Sequence, residues 1–142
     1  MIVLDTNVLS EGLRPQPSAN VLRWMQSEPL TALFTTTITE AELLYGAALL
    51  PGGRRRRALE GVLALLLGSQ FAGRILSFDS AAASEFADIA AKRRLGGRPI
   101  GEADARIAAI ARSRGASLAT RNVNDFADCG LTVIDPWADQ GN

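Results

Sequence analysis

The stretch that decides the fold opens the chain, and it reads Met1-Ile2-Val3-Leu4-Asp5-Thr6-Asn7. Its three β-favouring apolar residues follow one another without a polar break, which favours a strand buried on both faces in a parallel sheet. Asp5 then stands where this strand emerges at its carboxyl end. Because open α/β sheets build their ligand sites at that edge, we expect Asp5 to belong to a site. A turn-forming acid at a strand end is the alternative interpretation.

Alternating strand and helix patterns continue along the rest of the chain. Further strands are predicted at residues 32–37, 74–78, 117–120 and 131–134, and helices at about 18–28, 39–50, 81–94 and 101–113, with another after the basic run 54–57. This alternation predicts an α/β fold in three layers, with a largely parallel, five-stranded central sheet flanked by helices. No repeat or linker divides the sequence, so we predict one domain over residues 1–142.

Composition excludes several classes of catalytic site. The 142 residues include no histidine and one cysteine, and 15 basic residues balance 15 acidic ones. A histidine base, a Ser-His-Asp triad, a Cys-rich zinc site and an internal disulfide are therefore excluded within this sequence. No apolar run is long enough to cross a bilayer, and the start lacks the pattern of a signal peptide. A cytoplasmic location is the expectation.

Glu42 has two interpretations in the helix predicted to begin at Thr39. Thr39-Glu40-Ala41-Glu42 matches a capping box, in which the glutamate bonds back to the N-cap amide. Glu42 also shares a helical face with Tyr45, Gly46 and Leu49, which we predict to be the apolar, buried side. An acid on a buried face is costly unless it is paired or ligated, so the pattern indicates a polar or metal-filled pocket. Both roles are compatible.

Asp104 is the clearer candidate. An acid in the first turn of a helix is favoured by the helix dipole, but Glu102 would serve that purpose equally well on an exposed face. Asp104 instead lies in line with Ile107, Ala108 and Ala111, at the centre of the apolar stripe. The small alanines would let this helix approach the sheet closely. A carboxylate that faces the core among such residues indicates a ligand.

The loop at residues 120–126 follows the fourth predicted strand with the sequence Thr-Arg-Asn-Val-Asn-Asp-Phe. If that strand neighbours the first, the loop lies beside Asp5; a plain polar turn is the alternative. The candidate residues carry only oxygen ligands, which suit Mg²⁺ or Mn²⁺. Such an ion can activate water and neutralise charge on a phosphodiester oxygen.

These segments together resemble the PIN-domain ribonucleases, and in particular the VapC/FitB-type toxins of type II toxin–antitoxin systems. The resemblance runs over nearly the whole chain, through residues 2–10, 39–46, 103–109, 119–122, 125–126 and 135–137. It implies a Mg²⁺- or Mn²⁺-dependent endoribonuclease that acts on RNA as a toxin. It also implies a cognate antitoxin protein as partner, and a homodimer of this chain within their complex.

The resemblance also assigns roles to particular residues. Asp5, Glu42 and Asp104 match the family's acids and would hold the metal as catalytic residues. A fourth acid often follows the fourth strand in the family; Asn122 stands there, and Asp125 is the candidate to compensate for it. The hydroxyls that would orient water or a carboxylate belong to Thr6 and Thr120.

Two other functions compete with the ribonuclease. A receiver-like phosphoacceptor domain should carry a lysine after its last strand, and Asp135-Pro136 stands there instead. A catalytically weak PIN-fold binding module, which would act through its antitoxin or RNA partner, is supported by the amide at Asn122. The basic run at residues 54–57 fits either a phosphate contact or a solvated helix start, and we assign it no site.

Overall fold

The computed structural model describes residues 1–139. Within that range the five strands are β1 (Ile2–Leu4), β2 (Leu33–Thr36), β3 (Ile75–Leu76), β4 (Ser117–Ala119) and β5 (Val133–Ile134). The α-helices are α1 (Thr6–Gly12), α2 (Ala19–Ser27), α3 (Thr37–Ala48), α4 (Arg54–Leu65), α5 (Ser80–Leu95) and α6 (Glu102–Ser113). Short 3₁₀ turns lie at Leu30–Ala32 and Val123–Phe126, and a π-helical turn, Leu66–Gln70, extends α4.

The strands form one parallel sheet, as the alternation of strands and helices predicts, and their order is β3-β2-β1-β4-β5. Ile2 lies beside Leu33 on one side and Ser117 on the other, so β1 is the central strand. Val3 and Leu4 have no solvent exposure. The continuous apolar run therefore reflects a strand covered on both faces, and β4 is its direct neighbour, as the argument for the 120–126 loop requires.

Two hydrophobic cores lie on opposite faces of this sheet because successive residues of a strand point to opposite sides. Val3 and Leu118 pack with α5 and α6, through buried residues that include Ile89, Ile107 and Ile110. Leu4 packs on the other face with α1 to α4, through residues that include Val8, Val21, Leu43 and Leu63. The predicted three-layer α/β architecture is confirmed.

Several predicted boundaries were wrong. The segment after Asp5 forms α1, which the sequence did not predict because seven residues are too few for a helical period to stand out. β3 and β5 contain two residues each, shorter than their apolar patterns. None of the helices in residues 1–139 is both long and apolar enough to cross a membrane. The prediction of one domain over 1–142 stays a prediction, and residues 140–142 lie outside the described range.

The start of α3 corrects the interpretation of Glu42. α3 begins at Thr37, and its N-cap is Thr36, whose hydroxyl accepts a hydrogen bond from the Thr39 amide. The predicted capping box at Thr39 is therefore wrong. The buried line of α3 is Thr39, Leu43 and Ala47, whereas the face of Glu42, Tyr45, Gly46 and Leu49 is exposed. Glu42 lies one residue from this buried line, so the helix carries it to the rim of the site and not into the core.

Candidate active site

A cavity of about 350 Å³ opens at the carboxyl edge of β1, between the N-terminal parts of α1, α3 and α6. Its lining consists of Asp5, Thr6, Asn7, Ser10, Glu42, Asp104 and Asn122. The fold thus brings together five of the residues singled out in the sequence, from four separate segments. Thr120 lies beneath this cavity in contact with Asp5, and Asp125 lines an adjoining cavity of about 410 Å³ that shares Asn122.

Asp5 is the most deeply held of the carboxylates, with 4% of its surface exposed. Its Oδ1 accepts from the Thr6 amide at 2.8 Å, so Asp5 also caps α1, which agrees with its alternative interpretation as a turn-forming acid. Its Oδ2 accepts from the Thr120 hydroxyl at 2.8 Å and from Asn7 Nδ2 at 3.3 Å. Burial raises the pKa of Asp5, while these hydrogen bonds lower it and the charge of Asp125 raises it further.

Asn7 is a site residue that sequence patterns did not single out. Its amide nitrogen lies 3.3 Å from both Asp5 Oδ2 and the Thr120 hydroxyl, and its Oδ1 accepts from the Arg121 amide at 3.2 Å. Asn7 therefore fastens the start of α1 to the loop after β4. The sequence feature that could have identified Asn7 as a site residue is its place directly after Asp5 and Thr6. Ser10, also overlooked, lines the cavity one turn further along α1.

Glu42 reaches the cavity through a hydrogen bond. The Thr6 hydroxyl donates to Glu42 Oε1 at 3.0 Å, and the same hydroxyl lies 3.0 Å from the hydroxyl of Thr39. Thr6 therefore connects the end of β1 with the first turns of α3. The Thr6 hydroxyl contacts the carboxylate of Glu42, and the Thr120 hydroxyl contacts that of Asp5. Their role in orienting these acids for a reaction stays a prediction.

Asp104 stands half-buried in the first turn of α6, above a buried stripe that includes Ile107, Ala108 and Ala111 as the sequence predicts. Its pKa is raised from 3.8 to about 6, first by burial and then by the negative charges of Asp5, Asp125 and Glu42. Asp5, Asp125 and Glu42 are thus close enough to Asp104 for their negative charges to disfavour its ionised form. A cation bound among them would relieve that repulsion.

Arg93 binds the backbone of the loop that carries Asn122 and Asp125. This arginine is 7% exposed, and its Nη1 donates to the carbonyl oxygens of Asp125 and Ala127, each at 2.8 Å. Its Nε donates to the Arg98 carbonyl at 2.7 Å. Sequence reasoning missed Arg93 because its helix position, next to Lys92 and Arg94, reads as a solvated basic end.

The carboxylates share one cavity without forming a finished ligand cluster. Within residues 1–139, no three Asp, Glu, Cys or His side chains are arranged as a group that could hold a metal ion. The donor chemistry is nevertheless all oxygen, from carboxylates, hydroxyls and an amide. Magnesium commonly binds proteins through one or two carboxylates and retains several waters. The oxygen donors of this cavity are therefore of the chemical type that magnesium binds.

Comparison with protein families decides the classification. The family model described as "PIN domain" matches residues 2–130. The chain belongs to the PIN-domain family. This PIN domain is 46% identical over 137 residues to the plasmid stability protein StbB of Pseudomonas syringae pv. tomato, a match that covers 96% of this chain and 99% of that one.

Two further relatives are equally complete in coverage. The VapC ribonuclease Y4jK of Sinorhizobium fredii is 41% identical over 137 residues, which span 96% of this PIN domain and 98% of the relative. Toxin FitB of Neisseria gonorrhoeae is 41% identical over 139 residues, which span 98% and 100%. The predicted resemblance to VapC/FitB-type proteins is confirmed.

Solved structures agree with the sequence relatives. The structure of FitAB bound to an IR36 DNA fragment superposes with a TM-score of 0.93 at 38% identity and covers 100% of this PIN domain and 99% of the other chain. A member of the VapBC family of toxin–antitoxin systems, VapBC-5 from Mycobacterium tuberculosis, gives a TM-score of 0.63 at 28% identity and covers 92% and 93%. The fold described above is therefore the PIN fold.

Proposed function

We propose that this PIN domain is an endoribonuclease that hydrolyses phosphodiester bonds in RNA with the help of Mg²⁺ or Mn²⁺, and that it is the toxin of a toxin–antitoxin pair. The observation that carries the proposal is the convergence of Asp5, Glu42 and Asp104 on one cavity, where burial and then the charges of the neighbouring acids raise the pKa of Asp104. The names of the relatives, a VapC ribonuclease and a toxin, support it.

In this proposal Asp5, Asp104 and Glu42 would hold the cation. The cation would supply Lewis acidity toward water and a phosphate oxygen, and would neutralise the charge that develops on the phosphate. No other cavity-lining side chain is a stronger nucleophile or base than these acids, because the sequence has no histidine and the one cysteine is buried elsewhere. The carboxylates are thus the natural centre of the chemistry.

The chain's own residues prepare these acids for that task. Thr120, Asn7 and the Thr6 amide together fix both oxygens of Asp5. Thr6 orients Glu42 at the opposite wall. Asp104 completes the set from α6, and a pKa of about 6 leaves it mostly ionised near pH 7. Preorganised carboxylates of this kind need little rearrangement when substrate binds.

The test is cleavage of a mixed, structured RNA pool by the purified protein in Mg²⁺, Mn²⁺ or EDTA. Asp104→Ala is the site variant, and Glu102→Gln, an exposed acid two residues away on the same helix, is the matched control. We expect metal-dependent cuts by the natural protein and the control, and none by Asp104→Ala. Full activity in EDTA would contradict metal dependence, and equal activity of Asp104→Ala would contradict the site.

We also propose a cognate antitoxin protein as partner, with basic residues that cover the acidic cavity, and a homodimer of this chain within that complex. The similarity to FitAB and to a VapBC member of the toxin–antitoxin systems supports the antitoxin. The cytoplasm is the proposed location because the RNA substrate is there. Mixing experiments with candidate antitoxins, followed by light scattering, measure the stoichiometry of the complex.

A catalytically weak binding module is the second candidate function. The observation in its favour is that Asn122, an uncharged amide, lines the acidic cavity, whereas Asp125 lies in the adjoining one. If this candidate is correct, turnover is low in the natural protein and rises strongly in Asn122→Asp. Efficient turnover by the natural protein contradicts it.

A further inference from the structure

A line of threonine hydroxyls runs from the core to Glu42. The Thr36 hydroxyl lies 3.4 Å from that of Thr39, the Thr39 hydroxyl lies 3.0 Å from that of Thr6, and the Thr6 hydroxyl lies 3.0 Å from Glu42 Oε1. Thr36 and Thr39 have no solvent exposure, whereas Glu42 is exposed. Buried hydroxyls therefore lead to a carboxylate at the surface of the cavity.

Counting protons sets the direction of every bond in this line. An ionised carboxylate only accepts, so the single proton of the Thr6 hydroxyl goes to Glu42. Thr6 must then accept from Thr39, whose own proton is used in that bond. Thr39 in turn accepts from Thr36. Each hydroxyl donates once toward Glu42, and hydrogen bonds aligned in this way strengthen one another.

Helix capping accounts for Thr36 but leaves the Thr39 hydroxyl unexplained. The cap needs the Thr36 oxygen and the Thr39 amide, which lie 3.1 Å apart. Valine has nearly the shape of threonine and would fill the same buried space without a polar group to satisfy. The hydroxyl of Thr39 is therefore a polar group whose described contacts all lie on the line between Thr36 and Thr6.

We propose that Thr39 is a positioning residue for the reaction: its hydroxyl locks the Thr6 side chain in the rotamer that donates to Glu42, and so holds Glu42 at the cavity. The catalytic consequence rests on the proposed ribonuclease function, whereas the lock on Thr6 does not. Thr39 itself touches neither substrate nor the reacting atoms. It acts through Thr6, from the buried side of α3.

The first experiment measures the lock in the metal-free full chain. Threonine γ2-methyl groups are labelled, and three-bond couplings from the methyl carbon to the backbone report the χ1 rotamer of Thr6. Thr39→Val removes the hydroxyl and Thr39→Ser keeps it. The matched control is Thr35→Val, since Thr35 is equally buried but its hydroxyl bonds the Leu4 carbonyl at 3.4 Å, outside the line.

We expect couplings of a single Thr6 rotamer in the natural protein, Thr39→Ser and Thr35→Val, and averaged couplings in Thr39→Val. A single, unchanged Thr6 rotamer in Thr39→Val overturns the proposal. This measurement needs no RNA cleavage. If the natural protein does not cleave RNA, the proposed function fails, and the methyl couplings still decide whether Thr39 locks Thr6.

The second experiment measures kcat and KM for RNA cleavage with the same variants. In Thr39→Val we expect kcat to fall about tenfold, the equivalent of one hydrogen bond, with KM changed less than about twofold. Thr39→Ser restores kcat, and Thr35→Val leaves it near the natural value. In a Thr6→Val background, Thr39→Val has no added effect. An equal loss in that background shows that Thr39 acts by another route and contradicts the proposal.

Discussion

The Thr120 hydroxyl donates to Asp5 Oδ2 at 2.8 Å, and so joins two residues 115 positions apart in the chain. Thr120 has no solvent exposure and Asp5 has 4%. The same hydroxyl accepts from the Asn122 amide at 3.1 Å. One buried hydroxyl thus connects Asp5, at the end of β1, to the loop after β4, which carries Asn122.

We predict that Thr120→Val raises the pKa of Asp5 and weakens both stability and turnover. Asp5 loses a donor while it stays buried, so its charged form is less well stabilised. The free energy of unfolding should fall by about 1–2 kcal/mol, the usual cost of one buried hydrogen bond left unmade. Urea unfolding measures this loss, and Thr120→Ser is the control that keeps the donor. Unchanged stability in Thr120→Val would contradict the prediction.

Asp104 should make the protein less stable as the pH rises from about 4 to about 7. Its folded pKa of about 6 lies above the ordinary value of 3.8, so the folded state holds the proton more tightly than the unfolded chain does. The contribution of Asp104 to the free energy of unfolding therefore falls as the pH rises from 3.8 to about 6. Proposed metal binding has the opposite dependence, because protonation below about pH 6 removes a ligand.

Asp104→Asn tests that sign. We expect it to raise the free energy of unfolding at pH 7.5 without metal by about 1 kcal/mol, a modest gain because water screens the charge of this half-buried group. At pH 3.5 the variant and the natural protein should be equally stable. Glu102→Gln is the control, with no such pH-dependent difference expected. A variant less stable than the natural protein at pH 7.5 would contradict the argument.

Arg93→Met should destabilise the protein by about 3 kcal/mol, because three backbone carbonyl groups lose a charged donor at once. Its guanidinium bonds the Arg98, Asp125 and Ala127 carbonyls. Chemical denaturation of Arg93→Met is compared with that of Arg94→Met, an exposed neighbour on the same helix, for which we expect a change below about 0.5 kcal/mol. Similar losses in both variants would show that Arg93 has no special role.

Two single substitutions separate the candidates for the fourth acidic position. Asn122→Asp adds a carboxylate to the lining of the Asp5 cavity, and Asp125→Asn removes one whose charge raises the pKa of both Asp5 and Asp104. If Asp125 fills the role, Asp125→Asn lowers turnover about tenfold or more. If no acid fills this position, because Asn122 occupies it, turnover rises in Asn122→Asp and Asp125→Asn has little effect. Turnover at fixed Mg²⁺ distinguishes these results.

Local patterns were sufficient for the central strand and for Asp104. The unbroken run before Asp5 identified a central strand because only a strand covered on both faces tolerates consecutive apolar residues. Asp104 was found because its alignment with Ile107 and Ala108 is a matter of helical spacing, which holds wherever the helix packs. Both inferences depend only on residue type and on the spacing of apolar residues along the chain, which can be read directly from the sequence.

The position of Glu42 and the network around Asp5 were decided by tertiary structure. Glu42 was expected on a buried face, yet the packing of α3 buries the neighbouring line of Thr39, Leu43 and Ala47. The helix also begins at Thr37 and not at Thr39, and its start depends on which threonine caps it. A run of four threonines and one isoleucine at residues 35–39 offers several equivalent caps.

What the sequence by itself determined is the α/β class, the central strand and the place of Asp104 above the buried stripe of its helix, because these follow from residue type and spacing. Only the tertiary structure decided that Asp5 and Asn7 both bond Thr120, that Thr6 bonds Glu42, and that Arg93 supports the loop of Asp125. These contacts join residues far apart in the chain. Their partners are selected by strand order and packing, and no local pattern records them.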